Sequence, residues 1–344
     1  MFHQLSKRLV CLAALSALSA LPALAGAAEL NLYSARHYQT DEALYANFTR
    51  ATGIKINRIE AGDEQLMERL RNEGANSPAD VVLLVDIARL HRAEQEGLLQ
   101  PVKSAYLEQR IPAHLRADNG SWYAFSTRAR VIFYNKDKIQ PAQVDTYEKL
   151  ADPSLKGKIC SRSGSHPYNL SLLSSIIGHA GEPAAEAWAR GVVANLARAP
   201  KGGDTDQIRA VAAGECDVAI SNTYYFVRLM RSDKPEDKAV VQKVGMVWPN
   251  QQNRGTHLNV SGGGVAKHAR NRDAAVRFLE YLASDEAQRY FAAGNNEWPT
   301  VPSVATGNPE LDSLGTFKVD TQKVSEVARH QATAQKVLDR AGFR

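Results

Sequence analysis

The sequence predicts an α/β protein of two lobes, each built on a mostly parallel sheet. Three observations carry this expectation. Short apolar runs alternate with amphipathic stretches of helical spacing, the order that builds parallel sheets. The chain, at 344 residues, is longer than one ordinary core accommodates. Two extended segments, Ser126–Asn135 (STRARVIFYN) and Leu258–Ala266 (LNVSGGGVA), read as crossings between lobes. Two crossings put lobe 1 at residues 28–127 and 261–344, the latter with the C-terminal helices, and lobe 2 at residues 128–260. Such a hinge holds a ligand in the cleft between lobes.

The elements follow in order. Residues 1–27 are expected to be a secretory signal peptide: Lys7 and Arg8 start it, Leu9–Leu24 is apolar, and Ala25-Gly26-Ala27 offers a cleavage site. Ser16, Ser19 and Pro22 interrupt the run and argue against a retained anchor, and Val10-Cys11 is a poor lipidation site. Glu29–Ser34 alternates like a strand. Asp41–Ala51 has helical spacing with Thr40 as N-cap, and Gly53 stops it. Lys55–Glu60 is a strand, Glu64–Asn72 a helix ended by Gly74, and Asp80–Val85 a continuous apolar run suited to a buried strand. In the middle, strands at Lys158–Cys160 and Cys216–Ile220 alternate with helices at Leu170–Gly178, Gln207–Ala213 and Tyr224–Arg231. Ala274–Leu282, Glu286–Ala293 and Gln322–Leu338 close the chain as helices.

Composition narrows the function. A hydrophobic content of 44% with 23% charged residues is that of a soluble globular protein. Loss of residues 1–27 removes two positive charges and no acid from the formal +5, leaving +3. The bases are dispersed and form no stripe interleaved with aromatics, so nucleic acid is not an expected partner. No later segment approaches the length of a membrane-spanning helix. Two cysteines remain, Cys160 and Cys216, each beside a short strand. In an oxidising compartment they could pair, contributing about 4 kcal/mol; two buried thiols are the alternative.

The chemistry lies in the tyrosines. Of the 12 in the chain, four follow a strand and precede a helix: Tyr38, Tyr168, Tyr224 and Tyr225. In open α/β sheets, ligands bind outside the carboxyl ends of the strands. In the first turn of a helix, Tyr224 and Tyr225 could both reach one point, with phenolates near the positive end of the helix dipole. A phenol ionises near pH 10, yet a hard trivalent cation can drive its proton off. Three or four phenolates nearly balance a 3+ charge, and hard cations prefer oxygen, which favours Fe(III) over Cu(I) or Zn(II). His37 could add a nitrogen. There is no calcium-loop carboxylate spacing, HExxH or paired CxxC. The other tyrosines, Tyr33, Tyr45, Tyr106, Tyr123, Tyr134, Tyr147, Tyr281 and Tyr290, read as half-buried packing residues with ordinary hydrogen bonds.

These motifs resemble those of the periplasmic ferric-iron-binding proteins of ABC transporters, the bacterial transferrins, and especially the Fut-type subgroup of cyanobacteria. The resemblance runs over the mature chain. It is strongest in YSARHY (Tyr33–Tyr38), KICSRSGSHPYNLSLL (Lys158–Leu173), GECDVAISNTYYF (Gly214–Phe226) and FLEYLASDEAQRYFAAGNNEWPTVP (Phe278–Pro302). It implies a class II periplasmic binding-protein fold, a periplasmic location, and iron ligands at His37 and Tyr38 on lobe 1 and Tyr168, Tyr224 and Tyr225 on lobe 2. Fe(III) is then the transported ligand, with no catalytic cofactor, and an inner-membrane ABC permease receives it from a monomeric carrier. Pro167 biases His166 away from helical geometry and leaves the role of His166 open. Arg36, Arg128 and Arg162 could offset surplus phenolate charge. Arg128 is the first choice because it sits in a crossing strand.

The same residues admit two other readings. A same-fold carrier of a small organic or oxyanion ligand, such as a polyamine or thiamine, could use Asn222, Thr223 and the aromatic pair. An enzyme is disfavoured: Ser163-Gly164-Ser165-His166 puts nucleophiles beside a base, but no GxSxG elbow appears, and triads draw their members from separate segments. The Gly262–Gly264 run lacks both phosphate-loop and dinucleotide spacing.

Overall fold

The computed structural model describes residues 28–36 and 40–344. The expected signal peptide, residues 1–27, and the candidate ligands His37 and Tyr38 lie outside the described residues. From the N-terminus the elements are β1 (Glu29–Ser34), α1 (Asp41–Thr52), β2 (Lys55–Glu60), α2 (Asp63–Glu73), β3 (Val81–Leu84), α3 (Ile87–Gln95), β4 (Leu99–Gln100) and α4 (Ala105–Arg110). The long strand β5 (Tyr123–Asn135) leads to β6 (Ile159–Cys160), α5 (Pro167–Ala180), α6 (Glu182–Ala194), α7 (Asp204–Ala213), β7 (Val218–Asn222), α8 (Thr223–Met230), α9 (Pro235–Lys243) and β8 (Val244–Val247). Then come β9 (Leu258–Ala266), α10 (Arg272–Leu282), α11 (Asp285–Asn295), β10 (Trp298–Pro299), α12 (Pro309–Asp312), α13 (Val324–Arg329) and α14 (Gln331–Ala341).

The punctuation is local chemistry. Gly53 ends α1 at φ 71° and Gly214 ends α7 at φ 79°, a left-handed backbone that suits a residue without a side chain. Asp86 caps α3 by accepting from the Ala88 N–H. Thr40 stands before α1, but its hydroxyl does not cap the helix; it bonds the Asn295 side chain at 2.5 Å.

Strand order is β2-β1-β3-β9-β5-β7-β6, with β4 also paired to β9, and β8 and β10 to β5. The sheets are more mixed than the sequence predicts. Among the strands of the described residues, β1 with β2, β1 with β3, and β6 with β7 pair in parallel. The crossing strands join antiparallel: β9 to β3 and β5, and β5 to β7 and β8. A strand that runs straight from one lobe to the other lacks the helical crossover a parallel partner requires. β5 is a member of both lobes' sheets. Its residues through Ala129 pair with β9 and those from Arg130 pair with β7. β9 passes closely between β3 and β5, and its glycines permit this: a Cβ on Gly262, Gly263 or Gly264 would run into the carbonyl oxygens of Tyr123, Val82 and Ser121 respectively.

Burial gathers into separate clusters. One core gathers Leu30, Leu32, Phe48, Val81–Leu84, Trp122, Phe278 and Phe291. In the second lobe the alternation of β5 feeds two faces: Ile132 joins Val218, Ile220, Leu173 and Trp188, while Val131 and Phe133 join Ala219, Phe226 and the cysteines. Cys160 and Cys216 form a disulfide there.

The C-terminal region corrects the expectation that residues 261–344 all belong to lobe 1. Leu311 packs with Val227 of α8, and Ala334, Val337, Leu338 and Phe343 sit in the second-lobe core beside α5 and α6. The first core receives α10 and α11, through Phe278, Leu279 and Phe291, and α13, through Val324, Val327 and Ala328. The single helix predicted for Gln322–Leu338 is therefore two, broken at His330. One straight helix cannot present its apolar stripe to two separate cores.

Truncating Leu338 to alanine should therefore destabilise the second lobe by about 2–5 kcal/mol, as for other buried leucines, measured as a lower urea midpoint. Replacing Cys160 and Cys216 by alanine should cost about 2–5 kcal/mol in the same assay.

Candidate functional site

Parallel pairing of β6 with β7 sets the site. Ile159 and Cys160 lie opposite Val218 and Ala219, so both strands release their chains at the same end. From β6 the loop of residues 161–166 reaches α5, whose second residue is Tyr168. From β7 the chain turns directly into α8, whose second and third residues are Tyr224 and Tyr225. Pro167 supplies the fixed backbone angle favoured at a helix start. Before it, His166 is extended (φ −67°, ψ 138°), as expected for a residue preceding proline, and its Nδ1 accepts from the Tyr168 N–H at 3.3 Å. The open question of His166 is thus answered as a helix cap.

These turns bring the lobe 2 tyrosines together. The Tyr168 and Tyr224 hydroxyls are 3.2 Å apart. The rings of Tyr224 and Tyr225 lie 4.1 Å apart, inclined at 31°. Tyr224 is buried, while Tyr168 and Tyr225 keep partial exposure. Two oxygens held about 2 Å from one hard cation lie about 3 Å apart along a coordination edge, which the Tyr168–Tyr224 spacing matches. Among the described residues no cluster of three or more His, Cys, Asp or Glu side chains could hold a metal ion. Phenol oxygens are the donors concentrated here.

Cations surround this oxygen cluster. The guanidinium carbons of Arg162, Arg128 and Arg130 stand 5.3, 5.5 and 5.8 Å from the centre of the Tyr168 ring. Arg228 lies 6.0 and 5.7 Å from the rings of Tyr224 and Tyr225. Burial pushes the Tyr225 phenol up to about 12, with the Tyr168 oxygen and Asp204 adding to the rise. Burial, with Arg162 and Arg130 beside it, pushes His166 down to about 3 and keeps the imidazole neutral.

The lobe 1 side is visible in the residues flanking His37 and Tyr38. Arg36, buried, donates from Nε to Asp41 at 2.9 Å and from Nη2 to the other carboxylate oxygen at 3.3 Å. Arg36 also lies 3.5 Å from Glu297, which accepts a bond from Ser126 and stands 3.5 Å from Arg128. Arg128 donates to Ser261 at 2.7 Å, to the Val260 carbonyl at 3.1 Å, and to the Val85 carbonyl. A buried chain of alternating charge therefore runs from Asp41 through Arg36 and Glu297 to Arg128 on the crossing strand.

Sequence reasoning named Arg36, Arg128 and Arg162 but missed Arg130, Asp204 and Glu297. Arg130 could have been found, because it is two residues from Arg128 in an extended segment and so faces the same way. No local pattern marks Asp204 or Glu297. Of the tyrosines read as half-buried packing residues, Tyr33 and Tyr123 are fully buried and bond Glu73 and the Val102 carbonyl, Tyr281 bonds the Leu44 carbonyl, and the buried Tyr45 hydroxyl has no hydrogen bond among the described residues.

Near this site, burial pushes His257 down to about 4, and its Nε2 is 2.8 Å from the Ser171 hydroxyl. A folded value below the free value of about 6.5 means that the neutral ring is favoured on folding. That stability is complete above about pH 6.5 and drains as pH falls towards 4. His257→Asn, measured by urea midpoints across this window, should flatten the slope.

Comparisons with known proteins follow the same lines. Residues 43–318 match the family described as bacterial extracellular solute-binding protein. The chain is similar to iron uptake protein A1 of Synechocystis, 50% identical over 316 residues, with 92% of this chain and 88% of the relative covered. It is 30% identical over 324 residues to the major ferric iron-binding protein of Neisseria meningitidis, covering 92% and 94% of the two chains. Among solved structures, a Trichodesmium protein in complex with iron and citrate superposes with a TM-score of 0.89 at 53% identity, over 92% of this chain and all of that one.

Proposed function

Because the chain belongs to the bacterial extracellular solute-binding proteins, and to their ferric-iron-binding group, we propose that it captures Fe(III) between its lobes through tyrosinate oxygens and hands it to an ABC permease for uptake. The observation that carries this is the convergence of Tyr168, Tyr224 and Tyr225 from two adjacent strand ends, with hydroxyls 3.2 Å apart in the first pair. The protein acts in the periplasm as a monomeric carrier and not as a catalyst, after removal of residues 1–27.

The proposed mechanism uses each residue for one task. Tyr168, Tyr224 and Tyr225 bind the ion first, from lobe 2. Closure then brings Tyr38, and His37 beside it, from lobe 1. Four phenolates on Fe(III) leave one surplus negative charge, and the arginines around Tyr168 offset it. The phenol protons leave as the metal enters, so a proton and the ion compete for the same oxygens. The closed form is favoured by as much as the ion prefers it. A polyamine or thiamine would meet guanidinium groups where it needs anions, which disfavours a cationic organic cargo at this cluster.

Titration of the purified protein with ferric citrate should generate a visible tyrosinate-to-iron absorption band, with elemental analysis giving about one iron per chain. A colourless, iron-free protein would end the reading. Acidifying the loaded protein without chelator should bleach the band, because protonation of the phenols releases the ion. Tyr224→Phe and Tyr225→Phe should each weaken iron binding and shift the band without lowering the thermal midpoint appreciably.

A further inference from the structure

We infer that Arg130 is a positioning residue for the metal site: its buried guanidinium sets the placement of Tyr168 against the Tyr224–Tyr225 pair and ties both to the crossing strand. The inference rests on the ferric reading above.

The Arg130 side chain is 2% exposed and holds three separate elements. Nη1 donates to Asp204 at 2.7 Å and to the Asn222 side-chain oxygen at 3.1 Å, and Nη2 donates to the Asn169 side-chain oxygen at 2.7 Å. Asn169 directly follows Tyr168 on α5. Asn222 ends β7 and precedes α8, two residues before Tyr224. Asp204 opens α7, and its second oxygen accepts from Arg162 at 2.8 Å. One planar fork therefore grips the starts of α5 and α8, which carry the tyrosines, and the start of α7, which braces them.

The grip extends outward on both sides. The Asn169 amide donates to Ser161 at 3.2 Å and to the carbonyls of Arg162 and Ser163 at 3.1 and 3.0 Å, fastening the loop that leads to Tyr168. On the strand side, the Arg130 carbonyl accepts from Tyr147 at 2.6 Å, and the Arg130 N–H donates to the His257 carbonyl at 3.1 Å. Arg130 is the residue at which β5 exchanges its lobe 1 partner for β7. A hydrogen-bonded fork at that point makes the two tyrosine-bearing helices move with the crossing strand. Guanidinium geometry suits this task, because its donors are fixed in one plane; a lysine ammonium on a flexible stem cannot hold three acceptors at set angles.

The test compares Arg130→Lys, Asn222→Ala and the paired apolar change Arg130→Met with Asp204→Leu. Each is assayed for Fe(III) affinity by citrate competition, for the position of the visible band, and for Tm. Partners that orient metal ligands typically contribute about 10–100-fold to affinity, and losses of that size are expected in all three, with a shifted band. Asn222→Ala removes one hydrogen bond from Arg130 but leaves its ion pair with Asp204 in place, so it should lower Tm less than Arg130→Lys does. The apolar pair removes both members of a buried ion pair, at the cost of the second bond Asp204 makes to Arg162, so its Tm should approach that of Arg130→Lys while affinity stays low. Wild-type affinity and band position in Asn222→Ala, or recovery of both together with Tm in the apolar pair, would overturn the inference and leave Arg130 a stabilising residue only. A wild-type protein that takes up no iron in the same assay would instead count against the ferric reading itself.

Discussion

The architecture depends on one strand that belongs to both lobes. β5 pairs with β9 up to Ala129 and with β7 from Arg130 onward. Two arginines two residues apart flank that change, and both are buried. Burying a guanidinium without partners is costly, so each is paired and hydrogen-bonded. Arg128 reaches Glu297, Ser261 and backbone carbonyls of lobe 1; Arg130 reaches Asp204, Asn169 and Asn222 of lobe 2. The pairing demand of two charges thus ties the crossing strand to groups on either side, and Asn169 and Asn222 connect Arg130 to the tyrosine-bearing turns.

The site is also a solution to an electrostatic problem. Phenols buried near one another resist ionisation, as the raised value of Tyr225 shows. Guanidinium groups 5.3–5.8 Å from the Tyr168 ring supply compensating positive charge without competing as ligands, because arginine donates and does not accept. The neutral His166 caps α5 and adds no further charge to the cluster. The arrangement suits a cation of high charge that replaces phenol protons, and it penalises cargo that brings neither charge nor oxygen affinity.

Much of this was legible in the chain. Strand–helix alternation identified the α/β class, and the turn positions of Tyr168, Tyr224 and Tyr225 followed from where apolar runs stopped and helical spacing began. Glycine and proline marked their boundaries because backbone geometry acts within a few residues. Less legible were the partners. Thr40 looked like a helix cap, yet its hydroxyl bonds Asn295, 255 residues away. The helix predicted for Gln322–Leu338 was broken by the demands of two cores, which no local spacing encodes.

The sequence by itself determined the periodic elements, the phenol-rich turns and the cysteines available to pair, because propensity, patterning and side-chain chemistry are properties of neighbouring residues. Only the tertiary structure decided that Tyr168 and Tyr224 meet, that the crossing strands join antiparallel, that the last helix packs beside α5 and α6, and that Arg130 bonds Asp204, Asn169 and Asn222. Those outcomes depend on contacts between residues tens to hundreds of positions apart, made where burial leaves a charge or a hydroxyl no choice but to find a partner.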